Sequence, residues 1–324
     1  MHAQDGPAGG FSAGFTDGFE AHRDRLRSVA HRMLGSFSEA EDAVQEAWLR
    51  LARGGADDVE NLGGWLTTVV SRICLDMLRS RASRREDLTD HQVADEALDP
   101  DGSTDPEQEA LLVESVGRAL LVVLDRLGPA ERVAFVLHDM FAVPFDQIAP
   151  IVDRSPATAK KLASRARQKV RGAAPALPGR QLARQRRVVE AFLTASRNGD
   201  IDGVLAVLAP DVVRRADRTA VPPDRPGEIR GARAVAEEIA AFGRSSRFAE
   251  PALVGGAVGI VVAPQGRLRL VVAVTVVGER ITAYELIADP SRLHLLDLAV
   301  LGEVTAASEP GPPGRISPGG GDPR

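Results

Sequence analysis

The sequence has 324 residues, of which 44% are hydrophobic and 26% are charged, and its formal net charge is −5. These values are typical of soluble globular proteins and allow two or three domains. The single cysteine, Cys74, excludes an internal disulfide and suits a reducing cytoplasm. No apolar run approaches about 20 residues, so we expect no membrane span. The six histidines lack metal-site spacing, and we expect neither a metal nor another cofactor.

Charge is distributed unevenly along the chain. Ten Asp and Glu and no Lys or Arg lie between Glu86 and Glu109. Ten Lys and Arg and no Asp or Glu lie between Ser155 and Arg187. A basic segment of this kind is typical of a surface that binds nucleic acid. A solvated basic helix without any role in DNA binding is the alternative.

Three amphipathic helices are predicted near the start of the chain, because apolar residues recur there every three or four positions. They cover about 19–34, 40–51 and 61–77. The second helix carries polar residues, among them Asp42 and Glu46, opposite its apolar stripe. An acidic segment with Pro100 and Pro106 follows the third helix and is predicted to be a linker.

Residues 145–171 have the layout of a helix-turn-helix. Asp153 falls at the turn, where a left-handed backbone is usual, and Ser155 and Pro156 suit the cap and the first position of the second helix. That helix has an apolar face, and its other face carries Thr158, Lys160, Lys161, Ser164, Arg165 and Arg167. Because a recognition helix must pack on one side and meet DNA on the other, we predict that this polar face binds DNA.

The pattern of apolar residues in the sequence changes after Val188. Helical patterns are followed by three strand-like runs, Leu253–Ala263, Leu268–Val277 and Arg280–Ala288. Helices followed by an antiparallel meander predict a separate α+β domain.

The predicted fold class is therefore multidomain, with two all-α helical domains followed by an α+β domain. The predicted boundaries are 1–16 (disordered), 17–86 (helical), 87–108 (acidic linker), 109–173 (helical, with the helix-turn-helix), 174–186 (linker), 187–302 (α+β) and 303–324 (disordered).

Two segments of the first helical domain resemble the extracytoplasmic-function (ECF) sigma factors, promoter-specificity subunits of bacterial RNA polymerase. The sequence SEAEDAVQEAW at 38–48 resembles region 2.2, which docks on the β′ clamp in that family. The resemblance implies that Asp42, Gln45 and Glu46 bind polymerase. The sequence GWLTTVVSRICLDMLR at 64–79 resembles regions 2.3 and 2.4, which open the −10 element and hold a flipped base. It implies that Arg72, Asp76 and Arg79 contact DNA.

The second helical domain resembles region 4 of the same family. The sequence AFVLHD at 134–139 and the helix-turn-helix carry this likeness. In the family, region 4 reads the −35 element and is held by the β flap. The resemblance implies that Thr158, Lys160, Lys161, Ser164, Arg165 and Arg167 contact promoter DNA. It also implies core RNA polymerase as the partner and the cytoplasm as the location.

Residues 187–302 resemble the SnoaL-like (NTF2-like) extension of one ECF subgroup. The sequence ADPSRL at 288–293 is similar to the Asn-Pro-Asp-Lys-Leu signature of that extension. The likeness implies a regulatory contact in cis through Asp289, Pro290, Arg292 and Leu293. Whether a small molecule binds this domain stays open.

Two other functions are open to the sequence. A helix-turn-helix regulator with a small-molecule-binding or cyclase-like C-terminal domain is the first, but it leaves the acidic face of the second helix without a role. The second is catalysis, since SnoaL-like folds include polyketide cyclases with an Asp/His acid–base pair. Asp217 and His294 are the candidates. Because such a carboxylate is more often structural, we expect no enzyme activity and no catalytic residue.

Overall fold

The computed structural model describes residues 13–54, 61–88, 117–172 and 176–301. Most of the predicted acidic linker and of both predicted disordered termini lies outside these residues. The first helix nevertheless begins at Ala13, inside the segment predicted to be disordered. In the described part of the chain no helix is both long enough and apolar enough to cross a membrane.

Three helices form the first helical unit. They are α1 (Ala13–Leu34), α2 (Phe37–Gly54) and α3 (Leu62–Leu88). The side-chain oxygen of Asn61 accepts a hydrogen bond from the Gly64 amide at 2.9 Å and so caps the start of α3. At the other end of α3, Arg81 donates to the Leu34 carbonyl at 3.0 Å. This bond satisfies an otherwise open carbonyl at the end of α1.

Four helices form the second helical unit in the residues that the structure describes. They are α4 (Arg118–Asp125), α5 (Pro129–Phe135), α6 (Phe145–Val152) and α7 (Pro156–Arg171), with a π-helical turn (Val136–Met140) after α5. Asp153, between α6 and α7, has the left-handed angles φ 56° and ψ 53°. The Ser155 hydroxyl accepts a hydrogen bond from the Thr158 amide at 3.3 Å, and Pro156 is the first residue of α7. The predicted turn, cap and start of the second helix are confirmed.

The two helical units share one hydrophobic core. The buried residues that compose it include Leu26, Val29, Met33, Leu66 and Val70 of the first unit, and Val133, Leu137, Ile148 and Ala159 of the second. The contact arises because α3 packs against α5 and α6 as well as against α1 and α2. Two helical domains were predicted from the sequence, but no local pattern indicates that they pack together.

The C-terminal domain combines four helices with one sheet. Its helices are α8 (Gly179–Asn198), α9 (Ile201–Val207), α10 (Ala232–Phe242) and α11 (Pro290–Leu295). Its strands are β1 (Leu208–Ala216), β2 (Glu228–Arg230), β3 (Ala249–Val254), β4 (Ala257–Val262), β5 (Leu270–Val277), β6 (Arg280–Ile287) and β7 (Leu298–Ala299). The strand order is β2-β1-β6-β5-β4-β3-β7, and β1 runs parallel to β6 while the other pairs are antiparallel. The predicted α+β class is confirmed.

Three details of this domain differ from the sequence predictions. The run Leu253–Ala263 is two strands, because Gly255 and Gly256 turn the chain with φ of 58° and 81°. Strand β1 was missed, since it contains Pro210 and three charged residues and lacks clean alternation. Helix α8 begins at Gly179, inside the predicted linker, because Leu182 and Gln185 are already buried against the sheet domain.

The sheet is covered on both faces. Helices α8 and α10 pack on one face, with a core that includes Val189, Phe192, Leu193, Val235, Val258 and Tyr284. The other face packs against α4 of the second helical unit, through Ala119, Val122, Val123, Val261, Val271 and Ile287. The helical units and the C-terminal domain therefore form one packed assembly, which fixes where each candidate site lies.

Candidate polymerase and nucleic-acid interfaces

Helix α2 turns its predicted polymerase-binding side chains outward. Ala43, Val44 and Ala47 are buried on the opposite side of this helix. Asp42 and Gln45 are exposed, and Glu46 keeps 39% of its side chain accessible while it pairs with Arg50 at 2.9 Å. A surface ion pair of this kind is weak, so it leaves the carboxylate available to a partner. The three residues form one acidic and polar strip.

The predicted DNA contacts of α3 lie on the surface, and one of them reaches the second helical unit. Arg72, Asp76 and Arg79 are all exposed, and Asp76 lies 3.7 Å from Arg79. The Arg72 guanidinium, however, donates a hydrogen bond to the Pro150 carbonyl of α6 at 3.1 Å. In this form of the protein, Arg72 therefore binds the helix-turn-helix.

The outer face of α7 is basic and mostly free. Lys160, Lys161, Ser164 and Arg165 are exposed and make no side-chain hydrogen bond or ion pair with any residue that the structure describes. The Thr158 hydroxyl lies 3.0 Å from that of Ser155, at the helix start. Arg167, by contrast, forms an ion pair with Asp139. Four of the six side chains predicted to contact the −35 element are thus available to a ligand.

A buried charge lies where the two helical units meet. Arg132 of α5 is only 2% exposed and pairs with Asp125 at 3.3 Å. Its positive charge acts on two buried groups of the first unit, His31 and Cys74. Burial lowers the pKa of His31 from 6.5 to about 4, and the charges of Arg32 and Arg132 add to this effect. Burial raises the pKa of Cys74 to about 12, and Arg132 opposes that shift. His31 is neutral here at neutral pH.

The four residues predicted to make a regulatory contact have different roles. Asp289 caps α11, since its carboxylate accepts hydrogen bonds from the amides of Ser291 (2.8 Å) and Arg292 (3.2 Å). Pro290 is the exposed first residue of α11, and Arg292 pairs with Glu285 at 2.7 Å. Leu293 contacts the second helical unit through its buried side chain. Its carbonyl also accepts a hydrogen bond from Arg126 at 2.8 Å.

Several residues that hold the assembly together were not singled out from the sequence. Arg126 also donates to the Leu296 carbonyl, and so binds the end of α11 twice. Glu250 of β3 accepts a hydrogen bond from the Ala119 amide at 3.0 Å and lies 3.6 Å from Arg118. The partners in these contacts are more than 130 residues apart in the chain, so no local pattern could have predicted them.

Asp217 is committed to the fold of the C-terminal domain. Its carboxylate accepts hydrogen bonds from the amides of Ala288, Asp289 and Ala220 and from the Thr219 hydroxyl, all at 2.9 Å. Partial burial raises its pKa, but these hydrogen bonds outweigh burial and hold the pKa below its ordinary value. A carboxylate with a low pKa is a poor general acid or base near neutral pH. His294 is exposed and makes no hydrogen bond with Asp217.

Comparison with known proteins places both helical units in one family. Residues 19–84 match the family model of sigma-70 region 2, and residues 117–170 match that of sigma-70 region 4. A probable ECF RNA polymerase sigma factor SigI of Mycobacterium tuberculosis is 43% identical over 202 residues, which are 61% of this chain and 68% of that protein. The ECF RNA polymerase sigma factor SigJ of the same species is 42% identical over 214 residues, 66% of this chain and 68% of that protein.

Two solved structures align with different shares of the chain. The crystal structure of M. tuberculosis SigJ aligns with 86% of this chain and 98% of its own, at 33% identity and a TM-score of 0.43. An NTF2-like protein from Cytophaga hutchinsonii aligns with 34% of this chain and 94% of its own, at 13% identity and a TM-score of 0.24.

His31 predicts a specific dependence of stability on pH. The unfolded chain binds a proton at His31 below pH 6.5, whereas the folded chain binds it only near pH 4. The stability that neutral His31 provides is therefore fully present above pH 6.5 and is lost as the pH falls toward 4. The gap corresponds to about 3 kcal/mol. Replacement of His31 by Leu should remove this part of the pH dependence of the unfolding free energy, measured in urea.

The matched control is His294→Leu, which makes the same replacement at an exposed position, so that a change seen only in His31→Leu is specific to the buried imidazole. Equal pH dependence for wild type and His31→Leu would contradict the assignment.

Proposed function

This chain belongs to the extracytoplasmic-function family of RNA polymerase sigma factors, and from that premise we propose a role for each of its three parts. A sigma factor directs RNA polymerase to promoters, and this protein is a promoter-directing subunit of that kind. Sigma factors are not enzymes. The proposed roles concern the surfaces through which this chain meets polymerase and DNA, and the task of its C-terminal domain.

The second helical unit binds the −35 element through α7, and this is the proposal that the geometry supports best. The observation that carries it is the outer face of α7, where Lys160, Lys161, Ser164 and Arg165 are exposed beside an ordered turn. Long cationic side chains near a helix N-terminus bind backbone phosphates, and hydroxyl and guanidinium groups form hydrogen bonds with base edges. We propose that the β flap of polymerase binds this unit.

The first helical unit binds the β′ clamp through the strip of Asp42, Gln45 and Glu46, and the −10 element through α3. The exposure of the strip supports the first contact, as does Asp42, which has no structural partner among the described residues. The exposure of Arg72 and Arg79 supports the second, because a single strand needs positive charge along its path.

Polymerase binding requires the two helical units to separate. The −10 and −35 elements are roughly 25 base pairs apart, which at about 3.4 Å each is about 85 Å of duplex. Two units that share one hydrophobic core cannot span that distance. The packed assembly is therefore a closed form, in which Arg72 binds the helix-turn-helix instead of promoter DNA.

The C-terminal domain stabilises the closed form in cis. It packs its sheet on α4, and Arg126 of the second unit binds the Leu293 and Leu296 carbonyls. A backbone hydrogen bond of 3.2 Å also joins Val300 to Val170, near the end of α7. The tether between the domains keeps these partners at an effective concentration of about millimolar, so weak contacts suffice.

Catalysis or a buried ligand in the C-terminal domain is a less favoured alternative. The space between β1 and α10 is filled by the fully buried Arg214, which pairs with Glu238 beside the buried Tyr284. Arg214 also donates to the Pro226 carbonyl at 2.8 Å. These side chains satisfy one another's charges and hydrogen-bonding groups, which indicates a structural role in this part of the domain.

The polymerase contact predicts the effect of reversing two charges. The double variant Asp42→Lys, Glu46→Lys should weaken binding to core polymerase at least tenfold, because it places cations on the acidic strip. Both side chains lie on the surface, so the unfolding free energy should change by no more than about 0.5 kcal/mol for each. Pull-down on core polymerase and urea unfolding measure the two quantities.

The matched control reverses two exposed carboxylates of the C-terminal domain, in Asp202→Lys, Glu237→Lys. It should bind core polymerase as the wild type does. Undiminished binding by the Asp42/Glu46 variant would defeat the assignment of the strip.

The closed form predicts a gain of function on loss of Arg126. In Arg126→Met the apolar stem is kept, but the two hydrogen bonds that a charged donor makes to the end of α11 are removed. Each such bond contributes about 1.5–3 kcal/mol to the docking of the C-terminal domain on the second unit. Because α4 is buried between that domain and the core that the helical units share, looser docking weakens that core, and the opening equilibrium should shift at least about tenfold. The affinity for core polymerase, measured by fluorescence anisotropy, should rise accordingly.

The control for Arg126→Met is Arg233→Met, which removes an exposed guanidinium elsewhere in the protein. If a folded Arg126→Met protein binds core polymerase no better than the wild type, the domain does not hold the protein closed through this contact.

A further inference from the structure

Helix α8 carries a stripe of arginines that none of the proposed functions uses. Arg180, Arg184 and Arg187 are spaced by four and three residues, which places them on one helix face. All three are exposed, and none makes a hydrogen bond or ion pair with any described residue. Residues 179–189 contain no Asp or Glu at all. We call these three residues the α8 stripe.

Three other exposed arginines of the same domain have carboxylate partners, whereas Arg218, Arg267 and Arg269 are exposed singly, without such a partner among the described residues. Arg215 and Arg230 both pair with Glu228, at 3.1 and 2.7 Å. Arg233 pairs with Glu237 at 3.2 Å. Even on α8 itself, Arg186 lies off the stripe and pairs with Glu190 at 2.7 Å.

The stripe makes no polar contact that would hold α8 in place in the described part of the chain. The helix is held by its buried face, which includes Leu182, Val189 and Phe192. Like charges one turn apart oppose helix formation slightly. Three neighbouring cations without partners among the described residues are therefore better explained by an anionic ligand outside the chain than by folding.

The start of α8 lies close to the end of α7. Val300 of the C-terminal domain donates to the Val170 carbonyl, and Ala176 donates to the Gly256 carbonyl at 3.0 Å. The Gly255 amide in the same turn donates to the Asp297 carbonyl at 2.9 Å, next to β7. The end of α7 and the start of α8 thus meet at one corner of the sheet. The seven residues from Gly172 to Gly179 can span at most about 25 Å.

We propose that the α8 stripe binds DNA phosphates adjacent to those contacted by α7. This inference rests on the proposed binding of DNA by α7. Seven residues of helix cover about 10 Å, a length over which duplex DNA carries about six phosphate charges. Guanidinium groups bind phosphates strongly and read no sequence there. The C-terminal domain would then anchor the protein on DNA in addition to regulating it.

The salt dependence of DNA binding tests the proposal. The full chain is titrated onto a duplex of random sequence at salt concentrations from about 50 to about 200 mM, because phosphate contacts are sequence-independent. The triple variant Arg180→Gln, Arg184→Gln, Arg187→Gln removes three phosphate-binding cations and should reduce the slope of log K against log salt by about 2.7. The control Arg215→Gln, Arg230→Gln, Arg233→Gln removes the same charge and should keep the wild-type slope.

A third variant distinguishes failure of the stripe proposal from failure of the proposed DNA binding by α7. Arg165→Gln should reduce the slope by about 0.9 if α7 binds DNA. If Arg165→Gln lowers the slope and the stripe variant does not, the stripe proposal is wrong and the role of α7 stands. Equal slopes for the stripe and control variants, or no binding of the wild type at about 50 mM salt, also overturn it. An unchanged slope with weaker binding to core polymerase would make the stripe a protein-binding surface instead.

Discussion

The closed form depends on the hydrophobic core that the two helical units share, and one buried guanidinium lies at that junction. Arg132 projects from α5 toward the first unit, is almost inaccessible to water, and has Asp125 as an ion-pair partner. A buried charge stabilises an interface only when it is well paired, and it makes any second positive charge nearby costly. Burial is the main reason that the pKa of His31 is lowered and His31 stays neutral, and the charges of Arg32 and Arg132 add to that effect.

Helix α4 links this junction to the C-terminal domain. Leu124 faces the core that the helical units share, while Ala119 and Val123 face the sheet. A short helix with two apolar faces is buried on both sides, so a change at either side affects the other. In the proposed closed form, the C-terminal domain acts on the junction through α4, against which it packs. Its contacts reach α4 and the end of α7, which belong to the unit that must move away from the first.

The features that could be predicted from the sequence are those set by the preferences of single residues and by the periodicity of each element. The turn at Asp153, the cap at Ser155 and the start of α7 follow from the backbone preferences of those residues and were predicted correctly. The outward position of Asp42 and Lys160 follows from helical periodicity. The contact of Arg126 with Leu293 and that of Ala119 with Glu250 join residues far apart in the chain, so only the folded structure reveals them. The Gly255–Gly256 hairpin was predictable and was missed, because the apolar run continued on both sides.

The most direct test of the account is the distance between the two helical units before and after polymerase binding. Donor and acceptor dyes at Asp24→Cys in α1 and Arg154→Cys beside α7 report it, since both positions are exposed and the native Cys74 is buried with a raised pKa. We expect efficient energy transfer in the free protein. Addition of core polymerase and promoter DNA should abolish it, because the two elements are about 85 Å apart. Transfer that persists in a transcribing complex would contradict the closed-to-open account.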